Sequence, residues 1–434
     1  MKNRILNYFP MIVFLGVSVF YFCNFLFEIG VKILPNKTES TTIESVDWAV
    51  KYPFKDYHEQ DTIERIGVED DSFVLVDVVE SMIKKTKASI EYYLKDSFRL
   101  NRQLIEFNGL INHVLGKHVV TGMENSVIQL KNGELVQADE SMSPEDYTYV
   151  LDEVLSFANY VTTEDIPFLY MQMPNKVCKY NPQLPLGMHH NLNKQMDKTV
   201  NALQKEGYNT LDLRDVLHVL TDDHYSLFYH TDHHWRVETA FYAAEAIKDY
   251  LEMEPFSIEA EDDVLNRENF YEVKYENSFL GYLGRQVTLG NVDPEDFTLL
   301  LPNDDINYSI SCPGRDLYKS GVFKDVLINW DMYDEEIGLY DKSYYDAILY
   351  GNQAITTITN ESVKNDSKIL LIKDSFSLPM AMYLSTVYHE IILIDIRLNQ
   401  GQFNGSVRAF VDEYRPDVVV LAMFPDANVA YRLE

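Results

Sequence analysis

From about residue 145 onward, apolar positions alternate between helical spacing and short continuous runs, the pattern of a parallel sheet covered by helices on both faces. Helical spacing marks Tyr147 to Tyr160, Asn193 to Lys205 and Glu238 to Tyr250, with Phe241, Ala244, Ile247 and Leu251 on one face of the last. Gly207 stops the second of these. Apolar runs at Pro167 to Met173, Lys368 to Lys373, Glu390 to Ile394 and Asp417 to Ala422 predict buried strands, and Thr210 to Leu213 a shorter one. Leu378 to Val387 and Val407 to Tyr414 supply helices between the last three runs. Residues 252–364, rich in Asp, Asn, Tyr and Gly, predict an irregular insertion with some β structure framing the site.

Upstream, a first folded segment over 71–140 holds a strand-like Phe73 to Val76 and a helix-like Leu104 to Leu115. Residues 35–70 read as a juxtamembrane linker, polar from Asn36 to Thr42. Lys2 and Arg4 precede Ile5 to Phe27, a stretch of 23 residues without a charged side chain. A helix of about 20 apolar residues spans a bilayer, and the basic flank belongs on the cytoplasmic side. Residues 1–34 therefore read as a single-pass signal anchor in the cell membrane, with 71–434 outside as one domain. The run is longer than the apolar core of a cleaved signal peptide, and bulky Tyr21 and Phe22 leave no small-residue cleavage site.

Composition narrows the function classes. The 434 residues are 46% hydrophobic, enough for a sizeable core, and 37 Lys and Arg against 68 Asp and Glu give a formal charge of −31. A field of that sign repels nucleic acid. Only Cys178 and Cys312 lie outside the apolar segment, which permits one disulfide at most and offers no CxxC centre.

Two segments carry candidate chemistry. Lys373-Asp374-Ser375-Phe376-Ser377 follows a strand and precedes a helix with Pro379 in its first turn, so Ser375 sits where a hydroxyl stands above a sheet edge and turn N–H groups stabilise an oxyanion. Ser377 is placed as the cap of the following helix. In Tyr229-His230-Thr231-Asp232-His233-His234-Trp235, Asp232 and His234 are two apart and project to one side of an extended chain. A serine nucleophile needs a histidine to take its proton and a carboxylate to orient that histidine. His224, His230, His233 and His234 with Asp232 also admit a metal reading. Neighbouring histidines on an extended chain diverge, however, and none has helical i, i+4 spacing, so no metal and no cofactor is expected.

At these residues the chain resembles the alginate-acetyltransferase type of SGNH-hydrolase-like proteins, most closely their Gram-positive relatives, the DHHW proteins. Asp232-His233-His234-Trp235 is the naming motif. Pro167 to Tyr170 with Pro174-Asn175-Lys176, Leu211-Asp212-Leu213, Gly281 to Arg285, Asp374 to Ser377, Asp395-Ile396-Arg397 and Arg415 to Val420 extend the resemblance over roughly 145–434. It implies an α/β fold, an SGNH-hydrolase-like parallel sheet in circularly permuted order, with the Asp-x-His pair ahead of the serine. It also implies a catalytic triad of Ser375, His234 and Asp232, with Arg285, Arg397, Trp235 and His233 as candidate oxyanion or substrate-binding residues. The implied activity is acetyl transfer to a cell-envelope or exported polysaccharide, with the acyl donor supplied by a multi-pass membrane-bound O-acyltransferase. A carbohydrate esterase and a non-catalytic glycan-binding scaffold remain as alternatives.

Overall fold

The computed structural model describes residues 101–121, 126–138, 141–261, 264–398 and 406–433. The apolar segment 5–27, the linker 35–70 and the strand-like Phe73 to Val76 lie outside the described residues. Residues 106–434 form one compact unit.

The chain begins with α1 (Asn101–Val114), β1 (Val119–Thr121), β2 (Ser126–Gln129) and β3 (Leu135–Gln137). Then follow α2 (Pro144–Thr163), β4 (Phe168–Gln172), α3 (Leu192–Lys205), β5 (Asn209–Asp212), α4 (Leu213–His218) and α5 (Val237–Glu252). The stretch 252–364 holds β6 (Phe270–Phe279), α6 (Tyr282–Val287), β7 (Glu295–Pro302), β8 (Asn307–Cys312), β9 (Leu317–Val322), α7 (Phe323–Leu327) and β10 (Ile355–Asn360). Last come β11 (Lys368–Lys373), α8 (Ser377–Leu384), β12 (Glu390–Ile394), α9 (Val407–Tyr414) and β13 (Val418–Ala422).

Eight strands form the main sheet in the order β5-β4-β13-β11-β12-β10-β8-β9. The first five are parallel to one another, while β10, β8 and β9 add on antiparallel. The sheet is therefore mixed, which corrects the expectation of a purely parallel one: the supposedly irregular insertion supplies three of its strands. Numbered from β11 around the chain, the parallel strands lie in the order 2-1-3-4-5, that of a flavodoxin-like sheet, whose ligands bind where the order reverses. That reversal falls between β11 and β13, and Ser375 follows β11 directly. The permuted order implied by the resemblance thus has a structural form.

Alternation along the central strands fills two cores, as expected for a sheet covered on both faces. Leu169, Ile369, Leu371, Ile391, Leu393, Val418 and Val420 face one core with α5 and α8, where Phe241 meets Tyr383. Phe168, Tyr170, Leu370, Ile372, Ile392, Ile394, Val419 and Leu421 face the other, with Val154 and Phe157 of α2 and Val411 of α9. The helix α2 starts cleanly because the Ser143 hydroxyl accepts the Asp146 N–H at 3.1 Å and Pro144 follows the cap. Several boundaries differ from the periodicity, and α2 runs three residues further at each end than its apolar spacing marked. Leu213 opens α4 under an Asp212 cap rather than closing a strand, and α8 ends at Leu384.

Candidate active site

The Asp232–His234 segment is a short loop closed at its base. Phe228 and Trp235 bridge antiparallel, the Tyr229 N–H donates to the His234 carbonyl and the Arg236 N–H to that of Leu227. Lys176, in the loop after β4, is 4% exposed and grips the loop's carbonyls, with Nζ 2.5 Å from Tyr229 O, 2.9 Å from His230 O and 3.0 Å from Asp232 O. Glu134 pairs with the same ammonium at 3.2 Å. From the other side Glu295 of β7 accepts the N–H groups of His230 and Thr231 and the Thr231 hydroxyl. One cation on the carbonyls and one carboxylate on the amides fix a backbone that no helix or strand holds.

The Gly281–Arg285 segment braces the same loop. The Gly281 N–H donates to Thr231 Oγ1 at 2.8 Å, the Tyr282 N–H to Asp232 Oδ2 at 2.7 Å and the Gly284 N–H to the Thr231 carbonyl. A Cβ on Gly281 would fall 2.4 Å from that of Asp232, so only glycine permits this approach.

The structure brings Asp232, His234 and Ser375 together. His234 Nδ1 lies 2.7 Å from Asp232 Oδ1, and His234 Nε2 lies 2.7 Å from Ser375 Oγ. Asp232 Oδ1 also accepts the His234 N–H at 3.0 Å. Burial alone would raise the Asp232 carboxyl, but the imidazoles of His234 and His233 and its hydrogen bonds carry it far below the usual carboxylate range. With Asp232 ionised, Nδ1 is the protonated nitrogen of His234, and Nε2 is left to accept from the serine. The strand-to-helix turn is capped by Asp374, whose Oδ1 accepts the Phe376 N–H at 2.9 Å. Ser377 does not cap α8, a correction to the sequence expectation: it is the first helical residue, and its hydroxyl is buried without a hydrogen-bond partner.

The other expected residues divide. Trp235 is fully buried and donates from Nε1 to the Phe376 carbonyl at 3.0 Å, joining the histidine loop to the serine turn. Arg285 shares no hydrogen bond with the three residues; its Nη1 donates to the Tyr340 carbonyl at 3.3 Å. His233 and Arg397 line a cavity of about 510 Å³, together with Asp374 and Phe376, the neighbours of Ser375. Arg397 is bidentate to Asp395 at 2.8 and 2.7 Å, and buried Lys373 lies 3.4 Å from the same carboxylate and 2.5 Å from Asn352 Oδ1. Burial brings the Lys373 ammonium down to about 8 and pushes the Asp374 carboxyl up. Burial and the adjacent His234 draw His233 down to about 3, so it is neutral at ordinary pH.

Asp232, His233 and His234 are also the one cluster of potential metal ligands among the described residues. Asp232 Oδ1 stands 3.3 Å from His233 Nδ1 and 2.7 Å from His234 Nδ1. An ion on those atoms would have to break the bond that orients His234, so the donor set suits a proton relay better. His224 faces the Asn175 carbonyl and His230 faces Glu134, both apart from this cluster. Cys178 and Cys312 are both buried free thiols. Sequence reasoning missed the roles of Lys176, Glu295 and Tyr345, whose ring stacks on His234 with centroids 4.0 Å apart.

A flavodoxin-like parallel core with a serine at its switch point and an Asp-x-His loop beside it defines an SGNH-hydrolase-like domain. Residues 136–299 match the family described as the SGNH hydrolase-like domain of the acetyltransferase AlgX, an enzyme class; the match includes Asp232 and His234 and stops short of Ser375. The structure of Bacillus cereus PatB1 with a sulfonyl adduct is similar over 68% of this chain and 93% of that one, at 13% identity and a TM-score of 0.54. A DHHW family protein from Eubacterium siraeum is similar over 70% of this chain and 93% of its own, at 18% identity and a TM-score of 0.49. The O-acetyltransferase domain of Pseudomonas putida AlgJ is similar over 73% of this chain and 93% of its own, at 13% identity and a TM-score of 0.39. No curated protein sequence matches the chain. The resemblance first read from Asp232 to Trp235 and its companion motifs is borne out.

Proposed function

We propose that the chain is a membrane-anchored, extracytoplasmic serine O-acyltransferase that moves acetyl groups onto a cell-envelope or exported polysaccharide. The observation that carries the reading is the continuous relay from Asp232 through His234 to Ser375, with both links at 2.7 Å. A glycan-binding scaffold has no need of such a relay. In the first step the Ser375 oxygen attacks the acyl carbonyl while its proton passes to His234 Nε2, and the Ser375 N–H at the turn supports the oxyanion. Collapse breaks the bond to the leaving group, which takes the proton from His234 and leaves an acyl-serine. A sugar hydroxyl then gives its proton to His234 and attacks the acyl carbon, and the released serine regains that proton. Asp232 holds the imidazole tautomer and offsets its charge throughout.

The anchor reading rests on the uncharged run Ile5 to Phe27 with basic residues before it. Among the described residues no helix is long and apolar enough to cross a membrane, and the run lies outside them. An acyl donor outside the cell fits delivery by a multi-pass membrane-bound O-acyltransferase.

Hydrolysis of p-nitrophenyl acetate tests the chemistry. Ser375→Ala abolishes it, and Asp232→Asn lowers kcat by about 10⁴, the loss known for the serine-triad template. Ser377→Ala stays near wild type, since its hydroxyl has no partner to lose. EDTA leaves the rate unchanged. An active Ser375→Ala enzyme, or activity lost to EDTA, overturns the mechanism.

A further inference from the structure

We propose that the cavity beside Ser375 seats the acceptor sugar, and that it takes a polymer of uncharged or amine-bearing sugars and rejects a polymer of uronates. This rests on the acyltransferase reading. The cavity lies where an acceptor must lie: Asp374 and Phe376, on either side of Ser375, form part of its wall, and so does His233, next to His234. Its volume of about 510 Å³ falls within the roughly 300–1,000 Å³ of small-ligand sites. Met142, Met173, Met196, Met423 and Phe424 give it an apolar surface, suited to the C–H face of a pyranose. The amide of Asn175 supplies a neutral polar group among them.

The charges decide the class. A uronate carboxylate needs an unclaimed cation, and neither permanent cation lining the cavity is unclaimed. Lys176 is held by Glu134 at 3.2 Å and by three backbone carbonyls. Arg397 uses Nε and Nη2 on Asp395 at 2.8 and 2.7 Å, and the carboxyls of Asp374 and Asp426 act on the same guanidinium. One guanidinium thus answers three carboxyls, two of which line the cavity. An incoming carboxylate meets like charge, whereas a hydroxyl or ammonium finds acceptors. The chain's formal charge of −31 adds repulsion at longer range.

The test uses the full-length protein in detergent with p-nitrophenyl acetate as donor and cellopentaose, a glucosamine pentamer or a galacturonate pentamer as acceptor, with acetylated product measured by mass spectrometry. Transfer to cellopentaose or the glucosamine pentamer exceeds transfer to the galacturonate pentamer at least tenfold at low salt, and added salt narrows the ratio as charge is screened. Asp426→Arg, which places a new cation at the cavity, raises the galacturonate-to-cellopentaose product ratio by roughly threefold to tenfold, the scale of a partly screened charge pair. Ser375-dependent ester hydrolysis with equal or greater transfer to galacturonate overturns this proposal alone, as does hydrolysis with no transfer to any pentamer. Absence of Ser375-dependent hydrolysis removes the underlying function together with it.

Discussion

Tyr345 lies nearly flat against the His234 imidazole, with the planes 16° apart, and its hydroxyl donates to the Phe376 carbonyl at 3.4 Å. The ring limits where the imidazole can swing and offers its π face to the charged form. Tyr345 is therefore a positioning residue for His234. Tyr345→Phe keeps the ring and retains most activity, whereas Tyr345→Ala lowers kcat on p-nitrophenyl acetate by about tenfold to a hundredfold with KM little changed. A merely structural role would make both variants fail through thermal stability and not through kcat, so melting curves accompany the rates. At this scale Asp232, His234 and Ser375 were legible because local spacing and the end of a strand expose them. Tyr345 was not, since its role exists only once the insertion folds back on the histidine loop. Ser377 was misread for a related reason: Asp374 already caps the turn, a choice among neighbours that spacing alone does not reveal.

Among the elements, the loop from Tyr229 to His234 depends on Lys176. Replacing that lysine by methionine keeps the stem's volume but leaves three buried carbonyls without their donor and the Glu134 carboxylate with His230 alone. Lys176→Met is expected to cost about 3–5 kcal/mol, the range for breaking a buried ion pair, read from urea unfolding, with esterase activity falling as the loop loosens. Near-wild-type stability and rate would show that Glu295 alone secures the loop. The helices and parallel strands after residue 145 were legible to within a few residues because continuous apolar runs and helical spacing are strong signals. The strands of the insertion were not. In β8 only Tyr308, Ile310 and Cys312 point inward, alternating with Asn307, Ser309 and Ser311, so no apolar run marks it. An antiparallel strand toward the sheet's edge needs no more than that alternation.

For the whole molecule, residues 106–434 have their own two-sided core, and the anchor proposed at residues 1–34 lies outside the described residues. Protein lacking residues 1–34 is expected to be soluble without detergent and to unfold cooperatively in circular dichroism. Aggregation with no cooperative transition would mean that the apolar segment belongs to the fold. The mixed sheet was only half legible in the sequence, since periodicity reveals what each strand buries and not which strand it pairs with.

The permuted strand order bears on how the protein is made. β13, the last strand of the described chain, sits between β4 and β11, with Leu169 facing Val420 and Leu371 facing the same residue from the other side. Until β13 is present, two interior strand edges have no partner, so a chain that emerges N-terminus first cannot close its sheet before β13 has been made. Pairing of distant segments is slow, and open edges invite association with other chains. This architecture therefore makes the incompletely synthesised polypeptide a natural client for holding chaperones, and it keeps Ser375 from its place beside His234 until β13 has joined β4 to β11.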